Sequence, residues 1–448
     1  MQYAMWVRHS FSLGTNGTLV AQSVDLSSHA GNYYSAISPG FAILSFPFSI
    51  IGFVLDGSTL NVWGHALILD EAFVAVCSAS AALVVYEIAR LYASEKSSLV
   101  AALSLAFATP LWPASTVLFI HGVSLMFSCL SVYFVLRFAR RGGTSRSLLA
   151  SGVFLGLAGF VEYLAFLFVA PLALYLVFRR SLRAASKFLI GFLVGPIAQI
   201  AYNYAAFQNP FLFPEQLKIG TTGALLSRFD LSDTLLHSAY YFVSPYRGLV
   251  FFSPIAILGI FGLAKLIESR VDRLDGIVLL SILAIPIIGY ASWSDWAGGL
   301  FYGPRFLIIG LPGLIIPLAV LLDQEPSKKV RLAVLGTFGL GSFVEGVGAL
   351  TTAFSVAGGP STLQIASLNL PWLVQGKLDA WWINWGNLLS PTTGEALSVT
   401  IFVTLWATTA LALLNLRRSE GKRVIGLPVV PFERKTKTTA AASPEPKT

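Results

Sequence analysis

Runs of apolar residues about as long as a bilayer-spanning helix needs, roughly 20, recur along almost the whole chain. They lie near 66–92, 98–116, 119–138, 187–206, 248–267, 276–292, 304–322, 330–353 and 396–416. The stretch 147–179 is long enough for two short helices. Its flanks, RRGGTSR and RRSLRAASK, are both strongly basic and so belong on the cytoplasmic side. An even number of crossings must separate them, which places a turn near Glu162-Tyr163. The same reasoning splits 98–140 at Thr109-Pro110 and Trp112-Pro113. The pattern predicts about eleven spans in an all-α polytopic integral membrane protein of the cell membrane, with its C-terminus cytoplasmic.

Composition leaves no soluble alternative. Hydrophobic residues make up 55% of the 448 positions and charged ones 12%, with a mean hydropathy of +0.72. Soluble domains carry about twice that charge because their surfaces face water. The net charge of +8 sits in short runs between spans and in the tail, a positive-inside pattern that excludes nucleic acid as a partner. Cys77 and Cys129 both fall in apolar runs and imply neither a disulfide framework nor a metal knuckle. Residues 1–40 are polar and aromatic, without the continuous apolar core of a cleavable signal.

With the basic loops inside, 1–65, 109–121, the Glu162 turn, 207–247, 293–303 and 354–395 fall outside. Three units result: an external segment 1–65, a transmembrane domain 66–416, and a disordered cytoplasmic tail 417–448. Residues 41–55 are short for a span, and a crossing there would invert every later loop, so a re-entrant or interfacial helix is predicted. Residues 1–13 have the pattern of an amphipathic interfacial helix. The chain then begins outside: either the first long span inserts with its N-terminus out, or a helix precedes this sequence.

The unusual residues gather on the outer face. The densest group is Trp293-Ser294-Asp295-Trp296-Ala297-Gly298-Gly299-Leu300-Phe301-Tyr302-Gly303-Pro304-Arg305-Phe306. Glycines admit close backbone approach, and tryptophans offer flat faces to sugar or prenyl surfaces. Arg305, at the head of the next helix, has the geometry to hold phosphate in two places at once. An aromatic belt accounts for the tryptophans but not for Asp295 and Arg305 framing a Gly-Gly pair. Glu162, between two short apolar helices, is a costly acid and a functional candidate, unless it reaches water at the turn. His121 opens a span and reads equally as an interfacial histidine. Arg247, in Ser244-Pro245-Tyr246-Arg247-Gly248, serves either as a snorkelling arginine or as a phosphate ligand. Asn32-Tyr33-Tyr34-Ser35 followed by Ser38-Pro39-Gly40 reads as a loop entering a helix, and Asn203-Tyr204 as a polar helix end. Asn16-Gly17-Thr18 fits the glycosylation acceptor pattern. No P-loop, dinucleotide fingerprint, HExxH or serine elbow is present, so an activated substrate must come from the membrane or another protein.

Six motifs in one order now stand out: YYS…PG, TP…(aromatic)-x-H, the Glu-Tyr turn, YN…F-x-NP, SPYRGLxFFSP and WxxWxGGxxxGPRF. In that order, over about Tyr33 to Leu322, the chain resembles GT-C superfamily membrane glycosyltransferases near the dolichyl-phosphate-mannose–protein mannosyltransferases. The resemblance implies many transmembrane helices behind a long first external loop with interfacial helices. It also implies a polyprenyl-phosphate-linked sugar donor taken from the membrane lipid, and hexosyl or pentosyl transfer to a glycan, lipid or protein acceptor outside the cytoplasm. The leaving phosphate needs cations, for which Arg305 and Arg247 are the candidates; Tyr34, Trp293, Trp296 and His121 complete the expected substrate-binding set.

The acceptor hydroxyl needs a carboxylate base. Relatives place an acid in the first external loop after a first spanning helix, whereas Tyr3–Thr18 resembles the segment just downstream of that acid. The resemblance therefore puts the catalytic acid upstream of Met1 and leaves Asp25, His29, Asp295 and Glu162 as polar candidates within the chain. His121 and Glu162 are compatible with a divalent metal ion, but two scattered residues are no metal signature. The competing classes are a lipid or sugar transporter, which would carry its ionisable residues at mid-membrane in paired repeats, and a non-catalytic relative in an envelope-glycan assembly complex.

Overall fold

A computed structural model describes residues 1–15, 18–21, 25–57, 64–220, 228–325, 327–353 and 358–378, with isolated positions between 396 and 407. The chain is an all-α polytopic membrane protein. Five helices are long and apolar enough to cross a bilayer: His65–Ala89, His121–Arg141, Leu182–Phe207, Arg273–Ala291 and Lys328–Thr351. Shorter helices pack among them, including Ser145–Val161, Tyr163–Arg179, Pro254–Glu268 and Pro312–Gln324. Among the described residues the only strands are a hairpin, β1 (Leu26–His29) and β2 (Asn32–Ser35), antiparallel with Ser27 opposite Tyr34. The expected span 396–416 and tail 417–448 lie outside the described residues, as does the Asn16-Gly17 part of the acceptor pattern.

Most predicted elements are present, and the differences arise at proline. Residues 41–55 form Gly40–Leu44 and Phe46–Leu55, the second only 10 residues long. At about 1.5 Å per residue that reaches half a bilayer, so it does not span. Residues 1–13 contain the helix Gln2–Arg8. The run at 98–116 breaks after the helix Glu95–Phe107 and resumes only as the single turn Leu111–Ala114, because Pro110 lacks an amide donor and disfavours helix at the residue before it. The run at 248–267 breaks at Ser253-Pro254, and that at 304–322 opens as a tight 3-10 turn over Arg305–Gly310 before Pro312–Gln324.

Helix direction separates two ends. His121, Glu162, Tyr290 and Arg305 lie at one end of their helices, and Arg140, Arg179 and Asp275 at the other. At this second, basic end, fully buried Asp275 accepts from Arg140 Nη1 (2.7 Å), Arg179 Nη2 (2.9 Å), Tyr92 Oη (3.0 Å) and Tyr175 Oη (2.8 Å). Arg140 also donates to Asp272 at 2.5 Å. One carboxylate thus ties together three helices and the turn that follows His65–Ala89.

The helices that wall the site meet at glycine. A Cβ on Gly195 would stand 2.0 Å from the Gly156 carbonyl oxygen, and one on Gly152 would stand 2.0 Å from that of Phe188. Small residues of this kind let membrane helices approach backbone to backbone. Gly195→Ala is expected to cost about 1–3 kcal/mol, read as a lowered melting temperature of the purified protein.

Candidate functional site

Three helix ends converge on a cavity of about 840 Å³. The helix Ser145–Val161 stops at Glu162, whose extended backbone (φ −143°, ψ 106°) turns the chain directly into Tyr163–Phe168. The glutamate side chain therefore projects from a break rather than from a helix face. His121 opens His121–Arg141, and Tyr290 closes Arg273–Ala291. The Tyr290 hydroxyl donates to Glu162 Oε1 at 2.5 Å, while Glu162 Oε2 stands 3.2 Å from His121 Nδ1 without hydrogen-bond geometry. Both partners of that contact are almost wholly buried, at 4% and 3% exposure. A buried carboxylate oxygen and a ring nitrogen thus face each other with hydrogen-bonding capacity to spare.

Arg305 stands beside this pair. Its guanidinium lies 5.0 Å from the ring centres of both Phe119 and Phe306, and Phe306 stacks on Tyr290 at 4.1 Å and 6°. The third wall is backbone: a Cβ on Gly298 would come within 3.1 Å of Arg305 Nε. Gly298, Gly299 and Gly303 all adopt positive φ (74°, 65° and 75°), which is the reason this loop is built from glycine. Asp295 Oδ1 accepts from the Gly299 amide at 3.2 Å and closes the turn. Arg305 Nε is buried with no acceptor. Buried donors are almost always satisfied, so this one is prepared for an anion.

The rim holds two ion pairs, Lys218–Asp25 at 2.7 Å and Arg228–Glu215 at 2.7 Å. Burial pushes the Glu215 carboxyl up, while Lys218 and Arg228 pull it back. The first pair joins segments already laid edge to edge, with Ser27 opposite Lys218, and next to the second Phe229 lies opposite Trp293. Trp293 presents its edge to Phe229 at 5.0 Å, with Arg228 5.7 Å over its ring. Below the rim one wall is apolar, formed by Phe166 and Val169 and by Phe192, Pro196 and Ile200. From Phe192 to Ile200 that wall extends by about 12 Å along the helix.

Of the residues singled out in the sequence, Arg305, Trp293, His121, Glu162, Asp295 and Asp25 line the cavity together. Arg247, Tyr34, Trp296 and His29 do not. The Arg247 guanidinium is fully buried and donates to Ala297 O (2.6 Å), Tyr246 O (2.9 Å), Gln364 Oε1 (2.6 Å) and Gly299 O (2.8 Å). Four of its five N–H groups are thereby engaged with the protein itself. Tyr34 and His29 pack against Phe207 at 5.0 and 5.6 Å. Trp296 stacks on His237 at 4.8 Å, and its carbonyl accepts from the Tyr241 hydroxyl. Ser38-Pro39-Gly40 is a packing motif: the Ser38 hydroxyl donates to Phe160 O at 2.5 Å, and Gly40 lies against the same carbonyl.

Sequence reasoning missed Tyr290, Gln199 and Gln364. Tyrosine near a span end looks like any belt residue. Gln199, by contrast, gave a signal as an amide inside an apolar helix; its Nε2 donates to Asn203 at 2.7 Å and its Oε1 is buried and unpartnered. Among the described residues no group of three His, Cys, Asp or Glu side chains is placed to hold a metal ion.

Residues 70–201 match the family described as dolichyl-phosphate-mannose-protein mannosyltransferase. That segment contains His121, Glu162, Gln199 and the apolar wall, and the match agrees with the resemblance carried by the motifs. No curated protein matches the sequence significantly. Among solved structures, ArnT from Cupriavidus metallidurans bound to undecaprenyl phosphate superposes with a TM-score of 0.43 and 16% identity, over 84% of this chain and 62% of that one. The apo form of that protein gives 0.44 and 14%, over 82% and 64%. The chain therefore spans less than two thirds of the length of those structures.

Proposed function

We propose that this chain is a membrane glycosyltransferase that takes a sugar from a polyprenyl-phosphate donor and transfers it to an acceptor hydroxyl at the outer face of the cell membrane. The observation that carries this reading is Arg305: a half-buried arginine whose buried Nε has no hydrogen-bond partner, at the head of a cavity with an apolar wall. A polyprenyl phosphate has the matching chemistry, an anionic group on an apolar chain. Undecaprenyl phosphate, the lipid bound in the ArnT structure, is the natural probe. The match of residues 70–201 to the mannosyltransferase family supports the same class of reaction.

In this reading Arg305 holds the phosphate, the apolar wall holds the prenyl chain, and Trp293 offers a face to the sugar. The acceptor oxygen bonds to the anomeric carbon as the bond from that carbon to the phosphate oxygen breaks. The electron pair leaves with the phosphate, where Arg305 stabilises the growing charge. The hydroxyl proton passes to Glu162, which Tyr290 orients and beside which His121 provides a second proton-accepting group. Placement of His121, Glu162 and Arg305 together at one end of their helices supports interfacial chemistry over the transport reading, in which the site lies at mid-membrane.

Titration of undecaprenyl phosphate into the full-length protein in lipid nanodiscs, followed by tryptophan fluorescence, tests the donor site. Arg305→Gln is expected to raise the dissociation constant roughly 10- to 100-fold, as loss of charge-assisted hydrogen bonds to a buried anion does. Unchanged affinity in that variant overturns the assignment.

A further inference from the structure

Arg247 and Gln364 lie outside the cavity and yet hold both arms of the loop that carries Arg305. Arg247 Nε and Nη2 donate to the carbonyls of Ala297 and Gly299, on the arm before the turn. Gln364 Nε2 donates to the carbonyl of Phe301 at 3.3 Å, and its Oε1 accepts from the Gly303 amide at 3.4 Å, on the arm after it. The two side chains are joined to each other by Arg247 Nη1 donating to Gln364 Oε1 at 2.6 Å. Both residues are fully buried, and the face of Tyr246 covers the Arg247 guanidinium at 3.7 Å.

The bonds act on the positions that matter for Arg305. The carbonyls of Ala297 and Gly299 belong to the peptides just before Gly298 and just after Gly299, so the two bonds bracket that glycine pair. Gly298 is the residue against which Arg305 Nε rests. The Gly303 amide lies two residues before Arg305. None of the positive-φ glycines resists rotation through a side chain of its own, so the loop's conformation must be imposed from outside. Asp295 closes the turn from within the loop, whereas the side-chain hydrogen bonds to Ala297, Phe301 and Gly303 all come from this one buried pair.

We propose that Arg247 and Gln364 form a positioning clamp that sets the phosphate-binding geometry of Arg305. The inference rests on the reading of Arg305 as the donor-phosphate ligand. Neither clamp residue touches the substrate; each acts through the loop. Arginine suits the role because its planar fork reaches several carbonyls at fixed angles, which a lysine ammonium cannot do.

A double-substitution cycle separates positioning from general support of the fold. Undecaprenyl phosphate is titrated into the full-length wild type, Gln364→Leu, Arg305→Lys and the double variant, each in nanodiscs. If the clamp acts through Arg305, Gln364→Leu weakens binding about tenfold in the wild type but no more than about twofold once Arg305 is lysine. Equal losses in both backgrounds, or no loss in the wild type, overturn the clamp. If Arg305→Lys leaves affinity unaltered, the donor-site reading itself falls and the clamp falls with it, an outcome distinct from failure of the clamp alone. Should Gln364→Leu not fold, Gln364→Glu enters the same cycle. It keeps the acceptor for Arg247 and removes the donor to Phe301, and the same dependence on background decides.

Discussion

Glu162→Gln is expected to slow glycosyl transfer by about 10²- to 10⁴-fold, the range over which a positioned acid or base accelerates proton transfer. The substitution keeps the shape of the side chain and an oxygen for the Tyr290 hydroxyl, so the cavity should persist. It removes the second carboxylate oxygen, the one that faces His121 at 3.2 Å without a hydrogen bond. The other rim acids are engaged: Asp25 with Lys218, Glu215 with Arg228, and Asp295 with the Gly299 amide. Among the acids that line the cavity, Glu162 is the one with a buried carboxylate oxygen that makes no hydrogen bond. Single-turnover transfer from a polyprenyl-phosphate sugar is the appropriate measurement, with undecaprenyl phosphate affinity as its control. The loss should appear in the rate, with affinity held within about threefold, because the proposed mechanism gives the phosphate to Arg305 and not to Glu162. An unchanged rate would assign proton removal to a different acid.

The second large effect concerns stability. Asp275→Ala leaves Arg140 and Arg179 without the buried carboxylate they share, and leaves the hydroxyls of Tyr92 and Tyr175 without an acceptor. Removing one partner from a buried ionic network costs about 3–5 kcal/mol, because the charges that remain are uncompensated. Asp275→Asn should cost less, since it still accepts from the tyrosines. Cys77 and Cys129 supply the readout: both are buried free thiols, so a thiol-reactive dye labels them only as the fold opens. A melting curve of Asp275→Ala that overlays the wild type would show that the cluster contributes nothing net. Donor affinity at low temperature should be preserved, because the network lies at the opposite end of the helices from Arg305.

The legible features are those that repeat along the chain or break a repeat. The apolar runs placed the long helices, and the basic flanks of 147–179 demanded a turn at Glu162, which is where the helix ends. The short run at 41–55 forms two helices, the longer of 10 residues. Asp295, Gly298, Gly299 and Arg305 stood out because glycine, charge and tryptophan rarely mix between spans, and the structure does build one loop from them. Tyr34 and Trp296 misled for a plain reason: an aromatic side chain that stacks on a neighbour has the same local sequence as one that faces a ligand. Arg247 misled similarly, since its sequence context gives its charge but not the backbone carbonyls that surround it.

Sequence alone determined the solvent of this protein, the stretches that hold its long helices, and the end of the bundle where its reactive side chains collect. Those properties depend on local hydropathy, charge and proline chemistry, which each segment carries by itself. Tertiary structure alone decided which of those side chains meet. His121, Glu162 and Tyr290 come from three helices, and Arg247 reaches Gln364 across 117 positions. A hydrogen bond depends on distances of about 3 Å, and such distances are set by glycine-to-glycine helix packing that no single segment encodes.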